Sequence, residues 1–159
     1  MSRLTFIQTR SNKRIELLAR NPVFRAVGRQ PMPLKKRENL LLAAHEAFES
    51  AQRGTANDAD RDTLVCMVNV AMVLAGKHCI AEDLADVLAA QDALLRADLR
   101  KLQGKGWNFD GEGRKAILVA LSSHEQQIAQ LGQAAVTDAL LVVREMRAKG
   151  EVHQVGVAA

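Results

Sequence analysis

The sequence predicts an all-α fold, and three observations carry that prediction. Aromatic residues make up 3% of the chain and tyrosine is absent, while Ala and Leu supply most of the apolar mass. Sheets draw on β-branched and aromatic side chains, helices on Ala and Leu. The three prolines, Pro22, Pro31 and Pro33, all lie in the first quarter, so none interrupts a helix after residue 33. Beyond that point apolar side chains recur at three- and four-residue spacing. The 159 residues, 48% hydrophobic and 25% charged, suffice for one domain with its own core. The expected architecture is a bundle of about four main helices behind a basic, partly irregular N-terminal extension.

The extension, residues 1–37, has weak periodicity. Ile15, Leu17, Leu18 and Ala19 fit one short helix ending before Pro22, and the stretch from Arg29 to Leu34 reads as extended because proline restricts the residue before it. Phe6, Ile7, Val23, Phe24, Val27, Met32 and Leu34 are too many apolar groups for a solvated tail, so part of the arm is expected to dock on the body or a neighbouring subunit. The first body helix runs from about Leu34 to Arg53, with Leu41, Ala44, Phe48 and Ala51 on one face, and stops at Gly54. The second, about 59–75, is apolar nearly all round and is expected to be central. Asp58, Asp60 and Asp62 sit near its start, where the helix dipole favours acids, and Gly76 is its expected end. The third, about 81–103, carries a stripe of Leu84, Val87, Leu88, Gln91, Leu94, Leu95, Leu99 and Leu102. Glu82 and Asp83 lie in its first turn, Arg100 and Lys101 in its last.

Residues 104–113 form the one conspicuous loop, closed by Asp110 as an N-cap. The seam Ile117, Leu121, His124, Ile128, Leu131, Ala135 then passes through Gly132 without losing phase. It favours one helix over about 112–149, straight or kinked, with two coaxial helices that break near Gly132 as the alternative. Such a helix spans about 57 Å at ~1.5 Å per residue, long for a monomer, so a homodimer is expected. Residues 151–159 read as a flexible tail.

Charge divides the chain. Residues 1–37 hold ten basic side chains against one acid, Glu16, for a net +9, and the remaining body carries −5; the overall +4 conceals this. Lysine and arginine on phosphates release counterions and give sequence-tolerant, salt-dependent affinity. Arg10, Lys13, Arg14, Arg20, Arg25, Arg29, Lys35, Lys36 and Arg37 are therefore the candidate nucleic-acid contacts. The opposing reading pairs this charge with the acidic body, in cis or across a dimer. Phe24, Trp107 and Phe109 are candidate partner anchors; for the two loop aromatics the plainer reading is a plug holding the loop to the helix ends.

Other chemistry finds little support. His45 and Glu49 stand four apart on a helix but lack further ligands, and Cys66, His78 and Cys79 have no zinc spacing. His124 lies on an apolar seam and suits a hydrogen-bonded core position. Asn69 suits internal hydrogen bonding, and Cys66 inert packing. No nucleophile elbow, Walker or dinucleotide fingerprint occurs. The expectation is a non-enzymatic protein without metal or cofactor. No apolar run reaches the ~20 residues of a membrane span and no signal peptide opens the chain, so a cytoplasmic protein is expected.

Three stretches, Val68-Asn69-Val70-Ala71-Met72-Val73-Leu74-Ala75, Ala90-Gln91-Asp92-Ala93-Leu94-Leu95-Arg96-Ala97 and Trp107-Asn108-Phe109-Asp110-Gly111-Glu112-Gly113, resemble segments of short, uncharacterised helical proteins of proteobacterial plasmids, phages and integrated elements. The resemblance covers roughly 38–150. It brings no activity or site residues, but implies a mobile-element setting. Two functions follow as expectations: an accessory protein holding nucleic acid through its basic arm, or a protein-binding adaptor or inhibitor whose arm docks on a protein partner.

Overall fold

The computed structural model describes residues 20–78 and 81–150. The arm residues Arg10, Lys13 and Arg14, the helix expected at 15–19, Cys79, His153 and the tail from 151 lie outside the described residues. Within them there are five helices: α1 (Pro22–Val27), α2 (Leu34–Arg53), α3 (Asp58–His78), α4 (Ala81–Leu102) and α5 (Gly111–Ala148). No strand occurs among the described residues, and no described helix is long and apolar enough to cross a membrane.

Local chemistry sets most boundaries. Asn21 caps α1, its side chain accepting from the Val23 and Phe24 N–H groups, with Pro22 in the first turn. α2 ends at Gly54 in the left-handed conformation, φ +71°. Asn57 then opens α3: its side chain accepts from the Ala59 and Asp60 N–H groups, and Asp60 accepts in return from the Asn57 N–H. This reciprocal box satisfies N–H groups that a helix start leaves free. α3 runs two residues past Gly76, to His78. Asp110 caps α5 by accepting from the Gly113 N–H at 2.6 Å, in line with its place in the sequence; that bond holds its carboxyl below the usual carboxylate range.

The core has two parts. The larger one joins Ala44, Ala47, Phe48 and Ala51 of α2, Leu64, Met67, Val68 and Ala71 of α3, Val87, Ala90, Ala93, Leu94 and Ala97 of α4, and Ile117, Ala120 and Leu121 of α5, closed by Trp107 and Phe109. The smaller joins Met32, Leu41, Val70, Leu74, Ile128, Val136 and Ala139, with Val143 packed against it. α3 contributes to both, in keeping with its nearly all-round apolar pattern.

The long helix favoured from the seam is not a straight rod: it is sharply broken at Gly132. Gly132 sits at φ +73°, ψ 175°, outside helical geometry and in a region that is essentially glycine-only. The chain turns there, and residues 133–148 pack back along α2 and α3. Val136 and Ala139 share the smaller core with Val70 and Leu74, and the charge of Arg147 is felt at Cys66, two turns further down α3. The turn exists because another segment crosses it. The Gly28 and Gln30 carbonyl oxygens lie 2.8 and 2.5 Å from where a Cβ on Gly132 would sit, and the Ala134 N–H donates to the Gly28 oxygen at 3.0 Å. Gly28 is equally constrained, since a Cβ there would stand 2.9 Å from that of Ala134. With the rod gone, the inference that its length required a dimer loses its premise.

The stripe on α4 also divides. Val87 and Leu94 are buried, whereas Leu88, Leu99 and Leu102 are exposed. The inner face is mainly alanine.

Candidate nucleic-acid interface

The basic segment does not stop where the bundle begins. Its last three cations, Lys35, Lys36 and Arg37, occupy the first turn of α2. That turn contains no acid, and Pro33, at the cap position, offers no side-chain acceptor. A helix start carries partial positive charge and unpaired N–H groups, and cations there are normally disfavoured. Three of them at an uncapped start make a strongly electropositive spot.

α1 brings Arg20, Arg25 and Arg29 to the same end. Its C-terminal Gly28 is pinned to the α5 turn, and Met32 is buried in the smaller core beside Val136 and Ala139. Arg25 reaches Asp138 of α5 at 3.7 Å, with both side chains well exposed. Among the described residues Arg20, Arg29, Lys35, Lys36 and Arg37 make no ion pair, and all but Arg37 are plainly exposed. Because α2 and α3 are joined by a short turn and share both cores, the end of α3 lies at this end too, adding exposed Lys77. Lys77 lies far from the arm in sequence, and only the antiparallel path of α2 and α3 brings it here.

Four acids of the body, Asp58, Asp92, Asp98 and Asp110, are engaged elsewhere. At the opposite end Arg61 grips Asp98 through two bonds, of 2.6 and 2.9 Å, and the Trp107 Nε1–H donates to the same carboxylate at 2.8 Å. The bond to Asp98 raises the Arg61 pKa further above its ordinary value. Lys101 pairs with Asp58, Arg96 with both Asp92 and Asp110, and the Arg100 guanidinium donates to Asn108. These contacts tie the 103–110 loop to α3 and α4.

That network accounts for the loop aromatics. Trp107 and Phe109 are 5% and 7% exposed; Trp107 meets Phe109 edge-on at 5.3 Å and Phe109 stacks on Phe48 at 6.1 Å. The plug reading holds for both. As partner anchors they are corrected: their rings are spent inside the protein. Phe24 is half-buried. The exposed apolar groups near the cations are instead Val23, Val27 and Leu34.

No family model matches the chain, and no curated protein or solved structure is found to be similar to it.

The remaining polar positions are structural in their contacts. Asn69 is buried and accepts from the Gln91 amide at 3.0 Å. Gln127, 1% exposed, donates to the Ala71 carbonyl and to Asp83, and its oxygen faces His124 Nδ1 at 3.4 Å. Burial lowers the His124 pKa against the pull of Gln127. No buried side-chain N or O is left without a partner among the described residues, and no group of three or more His, Cys, Asp or Glu there is placed to hold a metal. Glu49 pairs with Arg53 rather than with His45. Cys66, expected as core packing, is exposed; its surroundings push the thiol up, chiefly by desolvation, which disfavours the reactive thiolate.

Proposed function

We propose that this chain is a non-enzymatic accessory protein of a mobile genetic element that binds nucleic acid through the cationic end formed by α1 and the start of α2. The observation that carries the reading is the contrast in charge pairing. Of the six described cations of the basic segment, only Arg25 meets a carboxylate, and weakly, while Asp58, Asp92, Asp98 and Asp110 are paired at the far end of the bundle. If Arg20, Arg29, Lys35, Lys36 and Arg37 served simply to neutralise the body, they would show the opposite pattern. Contact with the phosphate backbone suits the features: arginine and lysine on a helix start, with no fixed base-reading helix, favour sequence-tolerant binding.

Deleting residues 1–37 is a poor test, because it removes Met32 from the core and the first turn of α2. The discriminating variant neutralises Arg20, Arg29, Lys35 and Lys36 together, as glutamine. Binding to a mixed-sequence DNA duplex and to single-stranded RNA is measured across a salt series. We expect wild-type affinity to fall steeply with salt. The fourfold variant should bind much more weakly, with a slope on duplex DNA shallower by about 0.9 for each phosphate it no longer neutralises. Wild-type protein that binds neither polymer at low salt overturns the reading.

A second reading, a protein-binding adaptor or inhibitor, is favoured by one observation: Val23, Val27 and Leu34 are exposed beside the cations. Partner capture that resists salt but is abolished in the double variant Val23→Ser, Val27→Ser would favour it.

A further inference from the structure

On α4 three leucines face outward. The face turned into the bundle is Val87, Ala90, Ala93, Leu94 and Ala97, while Leu88 and Leu99 are each 51% exposed and Leu102 is 70% exposed. Leu84 and Leu95 are half-buried beside them. A helix that served only to cover the core would bury its leucines and expose its alanines. Leu88, Leu95 and Leu102 recur every seven residues, and Leu84 and Leu99 stand four from Leu88 and Leu95. That period keeps an apolar seam against a second helix over several turns.

The outer leucines of the seam are close to self-complementary in reverse, while Leu95 at its centre falls opposite Asp92. About a midpoint between Ala93 and Leu94, Leu88 is matched by Leu99. Leu84 is matched by Leu102, and Asp92 by Arg96, to within one residue. Asp92 and Arg96 flank the leucines and pair with each other within the chain. In an antiparallel arrangement each faces the opposite charge on the other copy. A two-fold interface requires such a patch, in which residue i meets j while j meets i. An unrelated partner helix requires no symmetry of this kind.

We propose that α4 is the seam of a homodimer, in which a second copy of this chain lies antiparallel along Leu84, Leu88, Leu95, Leu99 and Leu102. The proposal rests on α4 alone and stands or falls independently of nucleic-acid binding.

The test is sedimentation of the full chain over a concentration series, with Leu88→Lys and Leu99→Glu made separately. Both positions are half exposed, so the variants should keep their helical content and melting cooperativity, which circular dichroism checks. Wild-type protein is expected to dimerise, and each variant to self-associate more than about tenfold more weakly. An equimolar mixture of the two variants should then recover a dimer of one chain each. The introduced lysine of one chain meets the introduced glutamate of the other, and the second contact stays Leu88 on Leu99. A wild-type chain that remains monomeric up to its solubility limit overturns the proposal. So do single variants that dimerise like wild type. A mixture that stays monomeric overturns the antiparallel register on which the proposal depends, since a parallel pair would set position 88 against 88.

Discussion

Asp98 holds two elements and a loop at one point. Its carboxylate accepts from Arg61 of α3 and from Trp107 of the loop, and it is itself buried. Replacing it with alanine leaves the indole N–H and a partly buried guanidinium without their acceptor. Removing one partner of such a pair costs about 3 kcal/mol. Trp107 is the sole tryptophan, so Asp98→Ala should both lower the denaturation midpoint and red-shift the fluorescence of the folded protein. His124 gives a pH signature. Burial lowers its folded pKa below the ordinary value of 6.5. Below about 6.5 the unfolded chain therefore binds a proton that the folded chain resists, and stability falls as pH falls through that range. At higher pH the histidine is neutral in both states and adds no pH dependence. His124→Gln should flatten the pH dependence of the thermal midpoint between about 5 and 7. The plug role of Trp107 and Phe109 is readable from the sequence as the plainer of two alternatives. Its anchoring acceptor is not, because Asp98 sits nine residues earlier on another element.

At the scale of elements, helix ends are legible where a cap is local: Gly54, the acids of 58–62, and Asp110 all do what their types and positions suggest. The spacing allows a kink at Gly132 but does not show how sharply the chain turns there. Apolar residues on both sides of it face the same α2 and α3 surfaces, so the spacing keeps phase through the break. What bends the chain is residues 28–30, about a hundred positions away. Gly132→Ala is expected to be destabilising by about 2 kcal/mol or more, since a Cβ is strained at that φ and ψ and meets two carbonyl oxygens. The strain is relieved if residues 20–32 lift off. The variant should therefore be cut by trypsin after Arg25 or Arg29 much faster than wild type, while α2 to α4 retain their helicity. The α4 leucines mislead for a different reason. A helix with alanine on one side and leucine beside it has its strongest apolar signal away from the side that packs, because close-packed alanine adds little to that signal.

Across the whole molecule, charge is sorted by end. One end of the bundle is a web of ion pairs, and at the other five of the six described cations of the basic segment make none. Crowded cations at a helix start oppose the dipole by about 0.3–1 kcal/mol each at low salt. Neutralising Lys35 and Lys36 should accordingly raise the thermal midpoint at low ionic strength, with the gain fading as salt is added. The same change is expected to weaken nucleic-acid binding, so stability and function should move in opposite directions in one variant. The sequence shows the sum of this charge and its place along the chain. It does not show which acids are already engaged, because those pairings span α3, α4 and the loop.

The crossing of residues 28–30 over Gly132 has a consequence for the order of assembly. The docking site for this segment is made from residues 132–139, synthesised about a hundred residues after it. On the ribosome, where domains acquire structure as they emerge, residues 20–32 emerge well before the site that seats them. Until the end of α5 is available they can neither place Met32 nor close the bond to Ala134. A polypeptide truncated before Gly132 would thus carry its cations on an undocked segment for its whole lifetime.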